Sequence, residues 1–383
     1  PYGLVLASLG KISSNVPFMM PVRLAMMDAF EAVPEVIGSG PFIFDKDAWV
    51  PGAKVVYRKN TAYVPRSEPA SYAAGGKRVH VDTVEWIYIP DAATTMNALV
   101  AGEIDFWESP AVDLVPSMEG NADITIKVID PLGTQGWLRP NHLNPPFDNP
   151  KARQALVHMV NQEDYLRAII GDEKFWSTCP AYFMCGTPLD TDIGSEALVN
   201  QDVEKARALL KEGGYNGETL ILMDPTDIPV LHGASLVTAQ MLRDIGAKVE
   251  VQAMDWSTLT SRRAEKKSIA DGGWNIFHTY STGADVSSPI ANIGISGGCV
   301  EKAWFGWPCD RDGPDSLEGL RDAFSEESDP AQQKAIATKL QARAYEVVPY
   351  VNYGQWFQPT AYRSSLKGVL ISPVPFFWNI ELN

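Results

Sequence analysis

The alternation of apolar and polar positions predicts short strands that alternate with amphipathic helices. Residues 79–90 are rich in β-branched and aromatic side chains, which is typical of a strand. A helix is predicted from Asp91 to Gly102, and residues 104–107 form a short apolar run that predicts a second strand. The order strand, helix, strand is typical of a parallel α/β sheet.

The second half of the chain repeats this rhythm with stronger helix signals. Asn149 and Pro150 predict a helix start, and the apolar stripe that follows continues to Gly171. Asp202 predicts the N-cap of another helix, which ends at Gly213. Further strands are predicted at 220–223 and 248–254, and further helices at 234–245 and 329–347. The pattern therefore predicts an α/β fold.

The stretch Trp274–Pro289 combines a buried-strand pattern with a polar turn. Apolar and aromatic positions from Trp274 to Tyr280 predict the strand, and the turn that follows carries one acid, Asp285. A carboxylate delivered by a strand is suited to bind a charged ligand. An Asp in a turn, however, more often accepts hydrogen bonds from its own backbone. Asp285 is therefore a candidate ligand residue, and turn capping is the alternative.

Length and charge limit the class of protein. A chain of 383 residues suits two domains, because a single core rarely grows to that size. The formal net charge of −15 argues against a nucleic-acid partner, which needs a basic face. No apolar run approaches the length of a membrane span, and the first residues lack the pattern of a signal peptide. The sequence therefore shows no targeting signal of its own, or it begins after one was removed.

The cysteines form two local pairs, Cys179 with Cys185 and Cys299 with Cys309. Neither spacing is that of a zinc knuckle. Local pairs in loop-rich segments favour disulfides and hence an oxidising compartment, with four reduced thiols as the alternative.

The catalytic and metal-binding motifs in the sequence lack the context that their chemistry needs. Gly294–Gly298 fits the pattern Gly-x-Ser-x-Gly, but a nucleophile elbow needs a strand before the Ser, a helix after it and a later His. The last histidine, His278, precedes Ser296, and the five histidines have no metal-ligand spacing. No acid pair suggests glycoside-type acid/base chemistry. We predict no catalytic residue, no metal and no cofactor.

Several weak motifs occur in one particular order along the chain. They are Gly38–Phe42, Trp49–Gly52, Asn60–Tyr63, Leu99–Asp105, Asn144–Asn149 leading into Ala152–Leu156, Ala206–Tyr215 and Pro349–Arg363. In this order they resemble the family 5 solute-binding proteins of ABC importers, the dipeptide and oligopeptide receptor family.

The resemblance implies a two-lobed α/β periplasmic-binding-protein fold (type II, dipeptide-receptor-like) with two crossing segments. The implied first lobe comprises residues 1–136 and a return at 351–383, and the second lobe comprises 137–350. The Pro- and Asn-rich segment 137–147 independently suggests a boundary. Family members carry a further N-terminal segment that supplies strands of the first lobe. We therefore expect this chain alone to expose first-lobe core surface, to bind ligand weakly, and to have that segment as a partner.

The resemblance also implies a binding site. In peptide-binding members an Asp after a strand of the second lobe pairs with the ligand's α-ammonium, and the matching stretch here is Thr282–Asp285. Peptide receptors often carry an aromatic residue where this chain has Thr282, which argues against ordinary peptide specificity. Aromatic residues are expected as walls of the site, with core packing as the alternative. The candidate ligand-binding residues are Asp285, Gly283, Thr282, Trp274, Tyr280, Tyr353, Trp356 and Trp137.

The function that the resemblance implies is that of the substrate-binding component of an ABC importer. It would enclose a short peptide or related amine-bearing solute, such as an amino-acid derivative, and deliver it to the permease subunits. The protein would be a periplasmic monomer, or lipid-anchored in a bacterium without an outer membrane. The alternatives are a hydrolase acting in the cleft, a receptor for an opine, sugar or metal chelate, and an interaction module without a small ligand.

Overall fold

The computed structural model describes residues 4–5, 9–10, 16, 18–28, 31, 33–299 and 306–382. The chain divides into two compact units. The larger unit comprises residues 1–8 and 132–357, and the smaller unit comprises residues 9–131 and 358–383.

The elements are numbered in chain order. The strands are β1 (Phe42–Phe44), β2 (Lys54–Lys59), β3 (Thr83–Ile87), β4 (Phe106–Trp107), β5 (Ile124–Val128), β6 (Thr134–Pro140), β7 (Trp176–Ser177), β8 (Thr219–Pro225), β9 (Lys248–Met254), β10 (Ile276–Thr282), β11 (Val351–Trp356), β12 (Pro359–Arg363), β13 (Leu366–Lys367) and β14 (Glu381–Leu382). The α-helices are α1 (Val22–Ala25), α2 (Ala92–Ala101), α3 (Val115–Met118), α4 (Pro150–Met159), α5 (Gln162–Ile169), α6 (Glu196–Val199), α7 (Val203–Glu212), α8 (Pro229–Asp244), α9 (Trp256–Arg262), α10 (Gly283–Val286), α11 (Leu317–Glu326) and α12 (Pro330–Val347).

The larger unit is built on a mixed sheet with the strand order β7-β11-β6-β10-β8-β9. Strands β10, β8 and β9 run parallel, whereas β6 is antiparallel to both β10 and β11. The carboxyl ends of β8, β9, β10 and β11 therefore lie at one edge of the sheet, which we call the carboxyl edge. The register places Thr282 and Trp356 there, each paired with Thr134.

Helix α8 covers β8, β9 and β10, and it packs on α5. Beneath it lies the buried side chain of His278, whose Nε2 is 2.7 Å from Thr238 Oγ1 and whose Nδ1 is 3.3 Å from Ser235 Oγ. Burial lowers the pKa of His278 to about 3, because the charged imidazolium would lose its hydration. This neutral hydrogen-bonded group is part of the packed interior.

The helix predicted from Pro150 to Gly171 is wrong as one element, because it is two helices. Helix α4 ends at Met159, since Val160 adopts an extended conformation. Asn161 then caps α5 by accepting hydrogen bonds from the backbone N–H of Glu163 and Asp164. Asn favours such caps because its short side chain reaches the free backbone donors of a first turn.

The expected lobe boundaries cut through secondary structure. Residue 137 lies inside β6, a central strand, and residues 351–356 form β11, which pairs with β6 and β7 of the larger unit. The Pro- and Asn-rich segment 137–147 is thus part of that unit and not a boundary. The compact units change at residues 131/132 and 357/358, just beyond these paired strands.

The smaller unit contains two three-stranded antiparallel sheets, β1-β2-β3 and β4-β12-β5, and the pair β13-β14. The parallel sheet predicted from the order β3, α2, β4 is therefore wrong. Strands β3 and β4 belong to different sheets, because each finds its antiparallel partner elsewhere. Between them lies a cavity of about 1020 Å³ that is lined by Trp86, Ile87, Ile104 and Phe377 among others.

Both cysteine pairings predicted from the sequence are confirmed as disulfides. Cys179 is bonded to Cys185, and Cys299 is bonded to Cys309. The carbonyl of Cys179 also accepts a hydrogen bond from the buried Gln162 side chain of α5. The first disulfide is thereby tied into the core of the larger unit.

Candidate functional site

The predicted carboxylate lies at the carboxyl edge of the larger unit's sheet, one turn beyond β10. Asp285 belongs to α10, a single helical turn that starts directly after Thr282. Ligands of α/β sheets commonly bind outside the carboxyl ends of the strands, because loops and helix starts leave polar groups there. The fold thus brings Asp285 to a place suited to ligand binding.

Thr282 and Asp285 are joined by two hydrogen bonds. The Thr282 hydroxyl donates to Asp285 Oδ2 at 2.9 Å and accepts from the Asp285 backbone N–H at 3.4 Å. Thr282 is therefore the N-cap of α10, and it orients the carboxylate. Both side chains are partly exposed, so a ligand can reach them. Thr282, at the position where peptide receptors often carry an aromatic residue, thus has a structural role in capping this turn.

Gly283 fixes the turn by close packing. Its backbone N–H donates to the Gly133 carbonyl at 2.7 Å, and a Cβ at this position would come within 2.5 Å of Leu132 Cβ. A larger residue would push α10 away from the start of β6. Gly283 thus serves the site through backbone placement, because it has no side chain to offer a ligand.

Two aromatic candidates stand together at the same edge. The Tyr280 ring meets the Trp356 ring edge-on, with centroids 5.8 Å apart and an interplanar angle of 81°. Tyr280 is 44% exposed, whereas Trp356 is 3% exposed and stacks on Tyr353 behind it. Tyr280 is therefore the exposed member of this aromatic pair, and the buried Trp356 supports its ring.

The other aromatic candidates are enclosed by the larger unit's own residues. Trp137 stacks on Tyr350, and its Nε1 donates to Gln135. Trp274 packs edge-on against Phe277. Tyr353 stacks on Tyr165 and donates to the Thr279 carbonyl. In this structure these three rings are core residues that support the strands carrying the exposed groups.

A further polar pair at the carboxyl edge was missed by sequence reasoning. Both oxygens of Asp224, near the end of β8, accept from His232 Nδ1 of α8, at 2.9 and 3.0 Å. Asp224 is 2% exposed, whereas the His232 side chain is 39% exposed. The sequence feature that could have indicated this pair is an acid at the end of an apolar strand, followed by a His in the first turn of a helix.

In the structure, the Gly294–Gly298 motif is hydrogen-bonded to Glu318. The Ser296 hydroxyl donates to Glu318 Oε1 at 2.9 Å, and the Gly297 N–H donates to the same oxygen. A short 3₁₀ turn, Ile293–Ile295, precedes Ser296 where a nucleophile elbow has a strand. His278, beneath α8, is hydrogen-bonded to Ser235 and Thr238. These contacts explain Ser296 and His278 as structural residues.

The described residues were also considered as possible metal ligands and membrane spans. Within residues 33–299 and 306–382 and the shorter described stretches, no cluster of three or more His, Cys, Asp or Glu could hold a metal ion. The helices in the same parts of the chain include none that is both long and apolar enough to cross a bilayer.

Comparison with protein families gives a match over most of the chain. Residues 5–302 match the model for bacterial extracellular solute-binding proteins, family 5 Middle. A probable peptide ABC transporter periplasmic-binding protein of Sinorhizobium fredii, y4tO, is 37% identical over 95% of this chain and 68% of its own length. The oligopeptide-binding protein AppA of Bacillus subtilis is 26% identical, and this chain spans 41% of its length.

Solved structures share the fold. The periplasmic binding protein DppA of Helicobacter pylori, in complex with the peptide STSA, matches 90% of this chain and 63% of its own with a TM-score of 0.71. The two chains are 22% identical, so the likeness concerns the fold. It confirms the predicted α/β periplasmic-binding-protein architecture. The family match and the peptide-transporter relative confirm the predicted class of function as well. This chain therefore belongs to family 5 of the bacterial extracellular solute-binding proteins, the substrate-binding components of ABC importers.

Proposed function

We propose that this chain binds a short peptide or related solute with a free α-ammonium, and that Asp285 at the carboxyl edge pairs with the ammonium. The observation that carries the proposal is the assembly of Asp285, Thr282 and Tyr280 at that edge. The match to a probable peptide transporter supports a peptide as ligand.

The electrostatics of the site favour a cationic group. An ammonium taken out of water needs a paired carboxylate, because an unpaired buried charge costs several kcal/mol. The bond from Thr282 to Asp285 Oδ2 restricts the rotation of the carboxylate. Less orienting entropy is then lost when the ligand binds.

The aromatic pair supplies the apolar part of the site. The exposed Tyr280 ring stands edge-on to the buried Trp356 ring. Flat amphipathic rings accept apolar and polar side chains alike and lose little conformational entropy on contact. Such a surface suits peptides of varied sequence.

The expected partners are the permease subunits of an ABC importer, and the expected location is the periplasm. The alternative location is the surface of a bacterium without an outer membrane, through a lipid anchor. The family's extracellular location and the oxidised cysteine pairs support an export compartment. A monomer in solution is the expected state.

The cavity between β3 and β4 supports the expectation that this chain has a further polypeptide segment as a partner. Apolar side chains of the smaller unit are exposed on β1, at Ile43, and in or just after β3, at Trp86, Ile87 and Tyr88. Exposed apolar patches beside unpaired strand edges are typical docking surfaces for another strand. A further polypeptide segment, of the kind that extends the longer relatives, would cover this surface.

The proposal is tested by isothermal titration calorimetry with trialanine and N-acetyl-trialanine. Acetylation removes the positive charge and leaves the rest of the peptide unchanged. We expect trialanine to bind at least ten-fold more tightly than the acetylated peptide. Equal affinities for the two peptides would contradict ammonium recognition, and binding of neither would contradict a peptide ligand of this kind.

A further inference from the structure

The buried carboxylate of Asp224 fixes the orientation of one imidazole ring. Its two oxygens lie 2.9 and 3.0 Å from His232 Nδ1. An ionised carboxylate can only accept hydrogen bonds, so Nδ1 must carry the proton in this contact. With Asp224 2% exposed at the end of β8, the ring is held from its buried side.

His232 lies at the carboxyl edge. Helix α8 begins at Pro229, so His232 is in its first turn, and α8 packs on β8 and β10. In the parallel register Met223 pairs with Phe277, which puts Asp224 level with the following residue of β10. Tyr280 is two residues further along that strand, a rise of about 7 Å. His232 and Tyr280 are thus exposed near the same end of neighbouring elements.

The second ring nitrogen decides what His232 can bind. When Nδ1 carries the proton in a neutral imidazole, Nε2 has a lone pair and accepts a hydrogen bond. The His232 side chain is 39% exposed, and its buried contact uses Nδ1, which leaves Nε2 for the solvent side. A histidine whose one nitrogen is held by a carboxylate is a common arrangement for presenting the other nitrogen to a ligand.

We propose that His232 Nε2 accepts a hydrogen bond from a backbone N–H of the bound peptide, and that Asp224 is the positioning residue for the ring. This inference rests on the proposed function. Every peptide carries backbone N–H groups, so such a contact adds affinity without selecting a side chain. It complements Asp285, which recognises the amino terminus.

A peptide series tests the contact directly. Tetra-alanine and its three backbone N-methylated forms are titrated into the wild-type protein, His232→Ala and the control His80→Ala. His80 pairs with Glu381 in the smaller unit, so its loss removes a comparable acid–imidazole contact elsewhere. We expect methylation at one position to weaken wild-type and His80→Ala binding at least ten-fold, and His232→Ala binding less than three-fold. Equal penalties in all three proteins would overturn the inference.

The positioning role of Asp224 has a separate readout. Long-range ¹H–¹⁵N NMR spectra show which nitrogen of His232 carries the proton. We expect the proton on Nδ1 in the wild type and a mixture of tautomers in Asp224→Asn, which also binds tetra-alanine more weakly. A wild-type ring that carries a proton on Nε2, either alone or together with one on Nδ1, would overturn the assignment.

Loss of folding and loss of contact must be kept apart. His232→Ala leaves the Asp224 carboxylate buried without its imidazole, so thermal unfolding is measured for each variant. The double variant Asp224→Asn/His232→Ala removes that charge, and we expect it to show the same reduced methylation penalty. A ten-fold penalty in this double variant would contradict the inference.

If the wild type binds no peptide at all, the proposed function fails together with this inference. If the wild type binds peptide but shows no methyl penalty specific to His232, the inference alone fails.

Discussion

At the scale of single residues, the carboxyl edge separates groups that face solvent from groups that hold them. Asp285 and Tyr280 are accessible, whereas Thr282, Gly283 and Trp356 fix their positions through a hydrogen bond, a close backbone approach and a ring contact. This division matters because a binding site needs groups with restricted rotamers, which lose little entropy on binding.

Asp285→Asn tests the charge of the site. The amide keeps the size of the side chain and can still contact Thr282, but it cannot form an ion pair. We expect affinity for trialanine to fall at least ten-fold, or about 1.4 kcal/mol, while affinity for N-acetyl-trialanine changes little. Calorimetry measures both. The control is Asp202→Asn, since Asp202 caps α7 and Asn caps equally well. Equal trialanine affinity in Asp285→Asn and the wild type would refute the role.

His278 gives the stability of the larger unit a dependence on pH. Its folded-state pKa is about 3, and an unfolded His has a pKa of about 6.5. The unfolded state therefore binds more protons below pH 6.5, and the free energy of unfolding falls as the pH drops. From pH 7 to pH 5 we expect His278 to account for a loss of about 2 kcal/mol.

Urea unfolding of the wild type and His278→Gln at pH 7 and pH 5 measures this effect. The variant should lose about 2 kcal/mol less stability on acidification than the wild type. His80→Gln serves as the control, because the His80 side chain is 40% exposed. If His278→Gln and the wild type lost the same stability, His278 would not be buried as a neutral group.

The position of Asp285 at a strand end was easier to predict from the sequence than the burial of the aromatic candidates. A single acid in a polar turn after an apolar strand is a local pattern, and the structure places it at a sheet edge. Trp137, Trp274 and Tyr353 carry no local mark that separates a core ring from a ligand wall, because burial depends on distant strands. The pair Asp224–His232 was missed for a related reason, since it joins a strand end to a helix across a turn.

At the scale of elements, N-caps and strand ends set the accuracy of sequence prediction. Strand β9 and the Asp329-capped helix α12 have the predicted bounds. Their signals are local, namely apolar alternation and an Asp-Pro start. The break between α4 and α5 at Asn161 and the separation of β3 from β4 were not predicted. The apolar stripe continues past Asn161, so the stripe alone does not show that a new helix is capped there. The separation of β3 from β4 was not predicted because strand pairing is a non-local property.

Gly136 shows how one strand depends on its neighbour. Gly136 in β6 lies under the ring of Tyr353 of β11, and a Cβ there would overlap that ring. We expect Gly136→Ala to lower the free energy of unfolding by about 1–3 kcal/mol, the usual cost of overpacking a rigid core. Gly40→Ala is the control, because no atom lies within 4 Å of a Cβ at that position. Chemical denaturation compares the two, and a neutral Gly136→Ala would show that β11 can shift.

At the scale of the whole molecule, the two units differ in how completely they cover their apolar residues. The sheet of the larger unit has fully buried strands such as β11, whereas the strands β1 and β3 of the smaller unit expose apolar side chains. The expectation of exposed first-lobe surface rested on the resemblance, since composition says nothing about where apolar residues lie. The disulfides were accessible to sequence reasoning because each pair is close along the chain.

The exposed surface predicts binding of an apolar dye. We expect the native protein to bind 1-anilinonaphthalene-8-sulfonate, and the double variant Trp86→Ser/Ile87→Ser to bind at least two-fold less, because both residues line the cavity of the smaller unit. Leu236→Ser in α8 is the control, since Leu236 is 50% exposed in the larger unit. Dye fluorescence that was the same in the double variant and the wild type would contradict an open apolar cavity.

Native mass spectrometry of the purified protein with a mixture of di- to pentapeptides tests whether the chain is a peptide-binding receptor. We expect one bound peptide per chain, which leaves the protein as an intact peptide on activation, and no bound peptide in Asp285→Asn. A protein that takes up no peptide, or that converts the peptides to fragments, would contradict this expectation.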